Sequence, residues 1–307
     1  MTRILVAGEI NVDLILQNFN AFPELGKEVL VENCLLTLGS ASLICAMGLA
    51  KLGDDVSFVG KAGCDTYGDF CVERMREAGI DVSRVIRSAE LKTGITVSVS
   101  SPKDRAMVTY LGAITELRAE DLPDGVLACF NHLHVSSYYM QEKLRPGVRS
   151  VFARAHKLGL TTSLDPGYDP SEEWRPDIRE TLEETDVFFP NEVEVRAIAR
   201  RQDFAEALAV LANGRTLTVA KLGRAGAMAL EDGKPVAVPI FPVQPVDTTG
   251  AGDSFNAGFL HAWLRRMPLT DALRWGTACG ALSTRGLGGT GTQATAEEAE
   301  GLIRRAS

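Results

Sequence analysis

The sequence predicts an α/β fold: a mostly parallel sheet covered by helices on both faces, with a small β-sheet inserted into it. Two observations carry that prediction. Short β-prone apolar runs alternate with helical stretches along most of the chain, the pattern of βαβ units. Two segments then break the alternation with strand patterns and no helix. The chain has 307 residues, 45% of them hydrophobic, enough to bury a large core and too apolar for wholesale disorder.

In order, residues 3–7 form a short β-rich run closed by Gly8. Residues 40–52 are apolar and alanine-rich and stop at Gly53, so they read as a helix, followed by a buried strand at 56–60. Residues 67–78 are helical and end at Gly79. Further strands fall at 132–136, 161–165, 187–190 and 217–221, with helices near 146–158, 178–185 and 204–212. The C-terminal third is helical. Phe255, Phe259, Leu260, Trp263, Leu264 and Met267 line one face over 254–267, and two more helices follow at 270–284 and 296–305. The exceptions are 27–38, which is β-prone, and 93–111, where Ile95, Val97 and Val99 alternate, turn through Pro102-Lys103-Asp104, and alternate again at Ala106, Val108 and Tyr110. Segments of about 14–38 and 91–113 are therefore expected to form a small sheet that serves as a lid on a single domain spanning 1–307.

A formal net charge of −8 argues against nucleic acid or an anionic membrane as partner. The longest apolar stretch, 43–50, is far short of the roughly 20 residues of a spanning helix. The apolar run at the N-terminus is too short for a secretory signal, and Cys34, Cys45, Cys64, Cys71, Cys129 and Cys279 form no C-x-x-C pair. Together these predict a cytoplasmic protein with buried free thiols.

The sharpest feature is Asp247-Thr248-Thr249-Gly250-Ala251-Gly252-Asp253-Ser254-Phe255-Asn256-Ala257-Gly258. A glycine-rich turn runs into a helix, whose free first-turn amides and positive dipole end bind anions. Gly250, Ala251 and Gly252 lack bulk, so a phosphate can come close to their N–H groups. Asp253 stands beside that site, where a carboxylate can take the proton of a hydroxyl attacking phosphorus. The dipole predicts that Asp253 is ionised.

This string resembles the C-terminal signature of the ribokinase-like, or phosphofructokinase-B, family of carbohydrate kinases, and the other motifs follow in the family's order over essentially the whole chain. The resemblance implies an α/β/α sandwich with a β lid, and transfer of the γ-phosphoryl group of ATP to a hydroxyl, usually a primary one. It makes Asp253 the base and Gly250, Ala251 and Gly252 the anion hole. Asn11 and Asp13, in Gly8-Glu9-Ile10-Asn11-Val12-Asp13, match the family's sugar contacts and lie past a strand end, where α/β sheets bind ligands. Turn chemistry alone also favours Asn and Asp there.

In the place of the N-terminal signature, Gly39 matches, Ser40 replaces a glycine and Ile44 replaces an asparagine. Ser40 and Ser42 then either offer hydroxyls to the substrate or cap the following helix. Asn191 and Glu194 resemble the motif that places magnesium, its waters and the triphosphate; a helix start with its cap explains them as well. Lys221, Gly223 and Gly226 resemble the strand-end turn along the nucleotide phosphates, though a plain hairpin turn has the same composition. Thr277 falls where relatives place an asparagine near the base. Asp247, Thr249, Ser283, Gly286, Gly288 and Thr292 align with a loop that binds a monovalent cation, potassium, in many members. Asp165, before Pro166, sits at another strand end with no defined role.

Gly286-Leu287-Gly288-Gly289-Thr290-Gly291 satisfies G-x-G-x-x-G but follows a helix, so it is no dinucleotide fingerprint. No P-loop string exists, and His132, His134, His156 and His261 lack zinc spacing; the pair on the 132–136 strand reads as structural. The sequence thus points to an ATP- and Mg2+-dependent sugar kinase. Two alternatives stand beside it. One is a nucleoside kinase stacking a base on Tyr110, Tyr138 or Tyr139; the other is a non-catalytic sugar- or nucleotide-binding relative, disfavoured by the intact Asp253. Arg105, at the lid turn, could meet an acidic substrate or simply be solvated, and the exposed lid could pair two copies into a homodimer.

Overall fold

The computed structural model describes residues 2–19, 22–100, 105–231 and 233–306. In chain order the elements are β1 (Arg3–Ala7), β2 (Asn11–Phe19), β3 (Val31–Leu38), α1 (Ala41–Lys51), β4 (Asp55–Gly63), α2 (Thr66–Glu77), β5 (Asp81–Ser88), β6 (Gly94–Ser100), β7 (Arg105–Tyr110), α3 (Asp124–Leu127), β8 (His132–Val135), α4 (Val148–Lys157), β9 (Thr161–Leu164), α5 (Asp177–Leu182), β10 (Val187–Phe188), α6 (Glu192–Ala199), α7 (Phe204–Leu211), β11 (Leu217–Lys221), β12 (Ala227–Glu231), β13 (Lys234–Val238), α8 (Ala251–Trp263), α9 (Leu269–Ser283) and α10 (Ala296–Arg305).

Nine strands make one sheet in the order β13-β12-β11-β10-β9-β8-β1-β4-β5, parallel from β11 to β5 with β12 and β13 antiparallel at one edge. The alternation of side chains along β1 shows why helices cover both faces. Ile4 and Val6 join the cluster that contains Leu43 and Leu49 of α1, Met75 of α2, Phe259 of α8 and Leu273 of α9. Leu5 and Ala7 join the opposite cluster, with Val151 and Phe152 of α4, Ile178 of α5 and Val195 of α6. A strand buried on both sides reads as a continuous apolar run, which is what 3–7 is.

Four strands make the second sheet, β3-β2-β6-β7. Its β2–β6 pair is parallel, while β3 and β7 run antiparallel at the edges. Asn11, Asp13 and Thr96 share one face by register, and the row Leu36, Leu14, Val97, Val108 crosses the other.

Several expected elements shift. The strand expected over 27–38 is β3, beginning at Val31. The predicted lid segment opened at 14, but β2 begins at Asn11, so Asn11 and Asp13 sit on a strand rather than in a turn. β5 and the β12–β13 hairpin were not foreseen, because their partly exposed residues carry no continuous apolar signal. The turn expected at 102–104 lies outside the described residues, as does the side chain of Arg105.

Candidate active site

The strand order reverses between β1 and β8, and ligands of open α/β sheets bind beyond the carboxyl ends of strands at such a switch point. Glu9 follows β1 and Ser137 follows β8, and they meet: Ser137 Oγ donates to Glu9 Oε1 at 2.7 Å. Ser42, on α1, donates its hydroxyl to Glu9 Oε2 at 2.6 Å and its amide to Oε1 at 3.3 Å. Ser40 is the N-cap of α1; its hydroxyl donates to the Glu9 carbonyl (2.7 Å) and accepts from the Leu43 amide (3.1 Å). Both serines are thus turned to Glu9 and the helix cap. Ser40 has φ 70, a backbone region where glycine is at ease and serine is not.

From the small sheet, Asn11 Nδ2 donates to Asp13 Oδ1 at 3.1 Å and to Thr96 Oγ1 at 3.4 Å. Gly39 closes on this pair. A Cβ there would stand 2.1 Å from Asp13 Oδ1 and 2.4 Å from Asn11 Nδ2, so only glycine lets α1 start this near the two side chains.

The glycine turn enters α8 as predicted. Gly250 is its N-cap with φ 72, and Ala251, Gly252 and Asp253 form the first turn, where amides have no intrahelical partner. The Ala251 amide makes a long bond to the Thr248 carbonyl, 3.3 Å. Ile44 packs beneath this turn: a Cβ on Gly250 would lie 3.0 Å from its Cγ2, and one on Gly289 would lie 2.3 Å from its Cδ1. An apolar side chain therefore wedges the glycine turn against the 285–293 loop.

Behind Asp253 lies a buried polar network. Lys221, at the end of β11, donates to Asp165 Oδ2 at 2.6 Å and to Asn256 Oδ1 at 3.4 Å. Asn256 Nδ2 donates to the same carboxylate oxygen at 2.6 Å. Burial opposes the charge of Asp165, but the Lys221 ammonium and these hydrogen bonds hold its pKa below the ordinary carboxylate value. Lys221 is likewise held above its ordinary value by Asp165, Glu194 and Asp253 despite its burial. Asp253 goes the other way: burial first, then the Asp165 charge, push it up to about 8. The expectation of an ionised Asp253 is corrected here. A dipole effect of about 1 kcal/mol does not offset loss of hydration beside a second carboxylate.

Asn191 and Glu194 form a reciprocal cap at the start of α6. Asn191 donates its amide N–H (2.7 Å) and Nδ2 (2.7 Å) to the Glu194 carboxylate, and Glu194 N–H donates to Asn191 Oδ1 at 2.9 Å. Burial and the Asp165 charge push Glu194 up to about 7. Gly223 (φ 55) and Gly226 (φ 94) shape the turn between β11 and β12. Thr277 is buried in α9, its hydroxyl donating to the Leu273 and Arg274 carbonyls. Asp247 Oδ1 accepts from the Thr249 amide and hydroxyl, and its Oδ2 accepts from the Gly288 amide at 2.9 Å. Thr292 donates to the Ser283 carbonyl at 2.6 Å, and Gly286 packs against Thr292. These six residues are brought into one loop cluster.

Other expectations fall away from the site. Tyr138 and Tyr139 are buried in the core beside Trp174, so of the three tyrosines only Tyr110 is exposed. His132 and His134 are buried and satisfied along Thr161, Ser163 and Ser136, and burial lowers both pKa values, which leaves them neutral. The thiols are free, but Cys34 and Cys64 are exposed, so burial holds for only part of the set. Among the described residues no helix is long and apolar enough to cross a membrane.

The profile of the pfkB family carbohydrate kinases matches residues 1–296. The chain belongs to this family. Its relatives include the ribokinase of Bacillus subtilis, 28% identical over 99% of this chain and 100% of that one, and a nucleoside kinase of Methanothermobacter thermautotrophicus, 26% identical over 90% and 87%. An E. coli protein solved in complex with ATP and Mg2+ superposes with a TM-score of 0.86 at 22% identity, covering 99% of this chain and 100% of the other. The chain is therefore a phosphotransferase acting on an alcohol group, a sugar or nucleoside kinase of ribokinase fold.

In this pfkB kinase three site residues had no assigned role in the sequence: Glu9, Asn256 and Ser137. Glu9 and Asn256 stood inside the recognised motifs as spacers, and only burial marks them, of a carboxylate just past β1 and of an amide within α8. Ser137 carries no sequence signal at all.

Proposed function

We propose that this pfkB kinase transfers the γ-phosphoryl group of ATP to a hydroxyl, a primary one, of a monosaccharide or sugar derivative. The observation that carries the reading is Asp253 in the first turn of α8, directly after Gly250-Ala251-Gly252 and partly open to solvent. Asn11 and Asp13 bind sugar hydroxyls, with Gly39 and Ser40 shaping the floor beneath them. The small sheet serves as a lid over the acceptor within one domain. Asp253 takes the proton of the attacking hydroxyl, the oxygen bonds to the γ-phosphorus, and the bond to the β-phosphate oxygen breaks to release ADP. The amides of the 250–252 turn and Lys221 stabilise charge on the moving group. The turn shaped by Gly223 and Gly226 lies along the phosphates, and Thr277 lies near the nucleotide base.

Asn191 and Glu194 suit magnesium held through its waters. Glu194 is a buried carboxylate whose neighbours are amides and a further carboxylate, and among the described residues no three carboxylate, His or Cys groups converge into a direct cage. The ion supplies charge neutralisation on the phosphates. The loop cluster of Asp247, Thr249, Ser283, Gly286, Gly288 and Thr292 offers carbonyls to potassium. A nucleoside acceptor is served less well, since Tyr138 and Tyr139 are locked in the core.

The row Leu14, Leu36, Val97 and Val108 is apolar, with Val108 71% exposed, and suits a second copy of the chain. A location in the cytoplasm fits ATP use and six free thiols.

The test is ADP release from ATP and Mg2+ over a panel of sugars, sugar acids and nucleosides, with and without potassium. Turnover on one sugar supports the reading and names the acceptor. Turnover on nucleosides alone overturns the acceptor class, and ATP binding without turnover on any member favours a non-catalytic role. Light scattering of wild type and Val108→Lys decides whether the lid face pairs copies.

A further inference from the structure

Asp165 and Asn256 are buried polar groups that the reaction as written does not use. Both contact Lys221, whose side chain lies along Gly252 of the glycine turn. We infer that Asp165 and Asn256 are positioning residues that seat Lys221, so that its ammonium meets the transferred phosphoryl group as a preset positive charge; this rests on the phosphoryl-transfer reading above.

The geometry carries the inference in three steps. The Lys221 side chain lies along Gly252: a Cβ built there would be 3.7 Å from its Cδ, 3.8 Å from its Cε and 3.5 Å from Nζ, ordinary contact distances. The ammonium is therefore next to the turn whose amides receive the anion. Next, its direction is determined from behind. Two of its three N–H donors go to Asp165 Oδ2 (2.6 Å) and Asn256 Oδ1 (3.4 Å), which leaves the third for a phosphate oxygen. Finally, the seat is itself rigid. Asp165 Oδ1 accepts the Gly167 amide at 2.9 Å, and Asn256 joins Lys221 and Asp165 by using both ends of its amide. Asn256 is fully buried on α8, one helical turn past Asp253, so the helix that carries the base also carries part of the seat.

Exposure ranks the three as a seat should. Asn256 is 0% exposed, the Asp165 side chain 5%, and the Lys221 side chain 15%, so the cation is the member turned outward. A buried ion pair contributes little to stability, because desolvating both charges offsets their attraction. What it does supply is placement. A lysine has four rotatable bonds, and a charge already aimed in the free enzyme spends none of the reaction's free energy on being ordered.

The experiment is a double-mutant cycle on the full chain, read as kcat and as KM for ATP, with the acceptor that the panel identifies. Lys221→Met is expected to lower kcat by about 10²-fold, the loss of one transition-state contact. Read on the high-pH plateau of each variant's pH–rate profile, where Asp253 is ionised and the Asp165 charge no longer acts through it, Asp165→Asn and Asn256→Ala are each expected to lower kcat by roughly tenfold when Lys221 is present and by less than about twofold in the Lys221→Met background, because they act through it. KM for ATP should stay within about threefold throughout. Thermal melts accompany each variant, and the Asp165→Asn/Lys221→Met double variant removes both buried charges together, so it stays interpretable where a single variant unfolds. Equal losses with and without Lys221, or wild-type kcat in Lys221→Met, overturn the seat while leaving the kinase intact. Wild-type enzyme that transfers phosphate to no acceptor overturns the underlying reading instead.

Discussion

Gly39→Ala tests the acceptor site with a single methyl group. The new Cβ would stand 2.1 Å from Asp13 Oδ1 and 2.4 Å from Asn11 Nδ2, whereas packed atoms do not approach within about 3 Å. Either both side chains retreat by roughly an ångström or the start of α1 moves by as much. The Asn11–Asp13 hydrogen bond, 3.1 Å in the native protein, has no slack to absorb that retreat. Misplacing a positioned group by about 1 Å can cost about 10²-fold in rate, so kcat/KM for the acceptor should fall by that order. Overpacking should also lower stability by about 1–3 kcal/mol. The nucleotide side should be spared, since Asn191, Lys221 and Gly226 lie on other strand ends. The assay is initial rate against acceptor concentration at saturating ATP, with affinity for a non-hydrolysable ATP analogue as control. Acceptor kcat/KM within threefold of wild type in a folded variant would refute the argument that Asn11 and Asp13 grip the acceptor.

Four further outcomes follow from the same geometry. Asp253→Asn should cut turnover by about 10²–10⁴-fold with ATP affinity nearly intact, and retained turnover removes Asp253 from the base role. With Asp253 at about 8, kcat/KM should climb with pH on a limb near that value, read from a pH–rate profile; a rate flat from pH 6 to 9 contradicts a base so displaced. The same shift has a stability sign. Asp253 is raised from about 4 in the unfolded chain, so its contribution is fully favourable below pH 4 and is lost as pH rises through about 8. Asp253→Asn should therefore melt higher than wild type at pH 8–9, with the gap closing toward pH 4. At Ser40, the φ of 70 and the double hydrogen bonding oppose each other. Ser40→Ala keeps the strain and loses both bonds, so it should cost about 1–2 kcal/mol, while Ser40→Gly removes the strain and should cost less; the two melting temperatures in the reverse order would deny the strain.

Much of this kinase was legible in local order along the chain. The alternation of apolar runs with helical stretches specified the layered parallel sheet, because strand and helix periodicities are properties of neighbouring residues. The glycine turn running into an aspartate-bearing helix specified the local geometry of the proposed phosphate end for the same reason: a turn, its free amides and the first helical turn all form within a dozen residues. What local order could not carry was the electrical state of the site. Whether Asp253 is charged depends on its burial and then on Asp165, and whether Lys221 is free depends on Asp165 and Asn256, residues brought from the end of β9 and from α8 to the end of β11 only by the tertiary fold. Ser40 and Ile44 looked like lost glycine and lost amide in the sequence. The packed molecule gives one a strained cap bonded to Glu9 and the other a wedge between Gly250 and Gly289. Composition and periodicity act over a few residues, whereas burial and Coulomb interaction act through space, and the pKa values and hydrogen-bond partners of this site are set by the second kind alone.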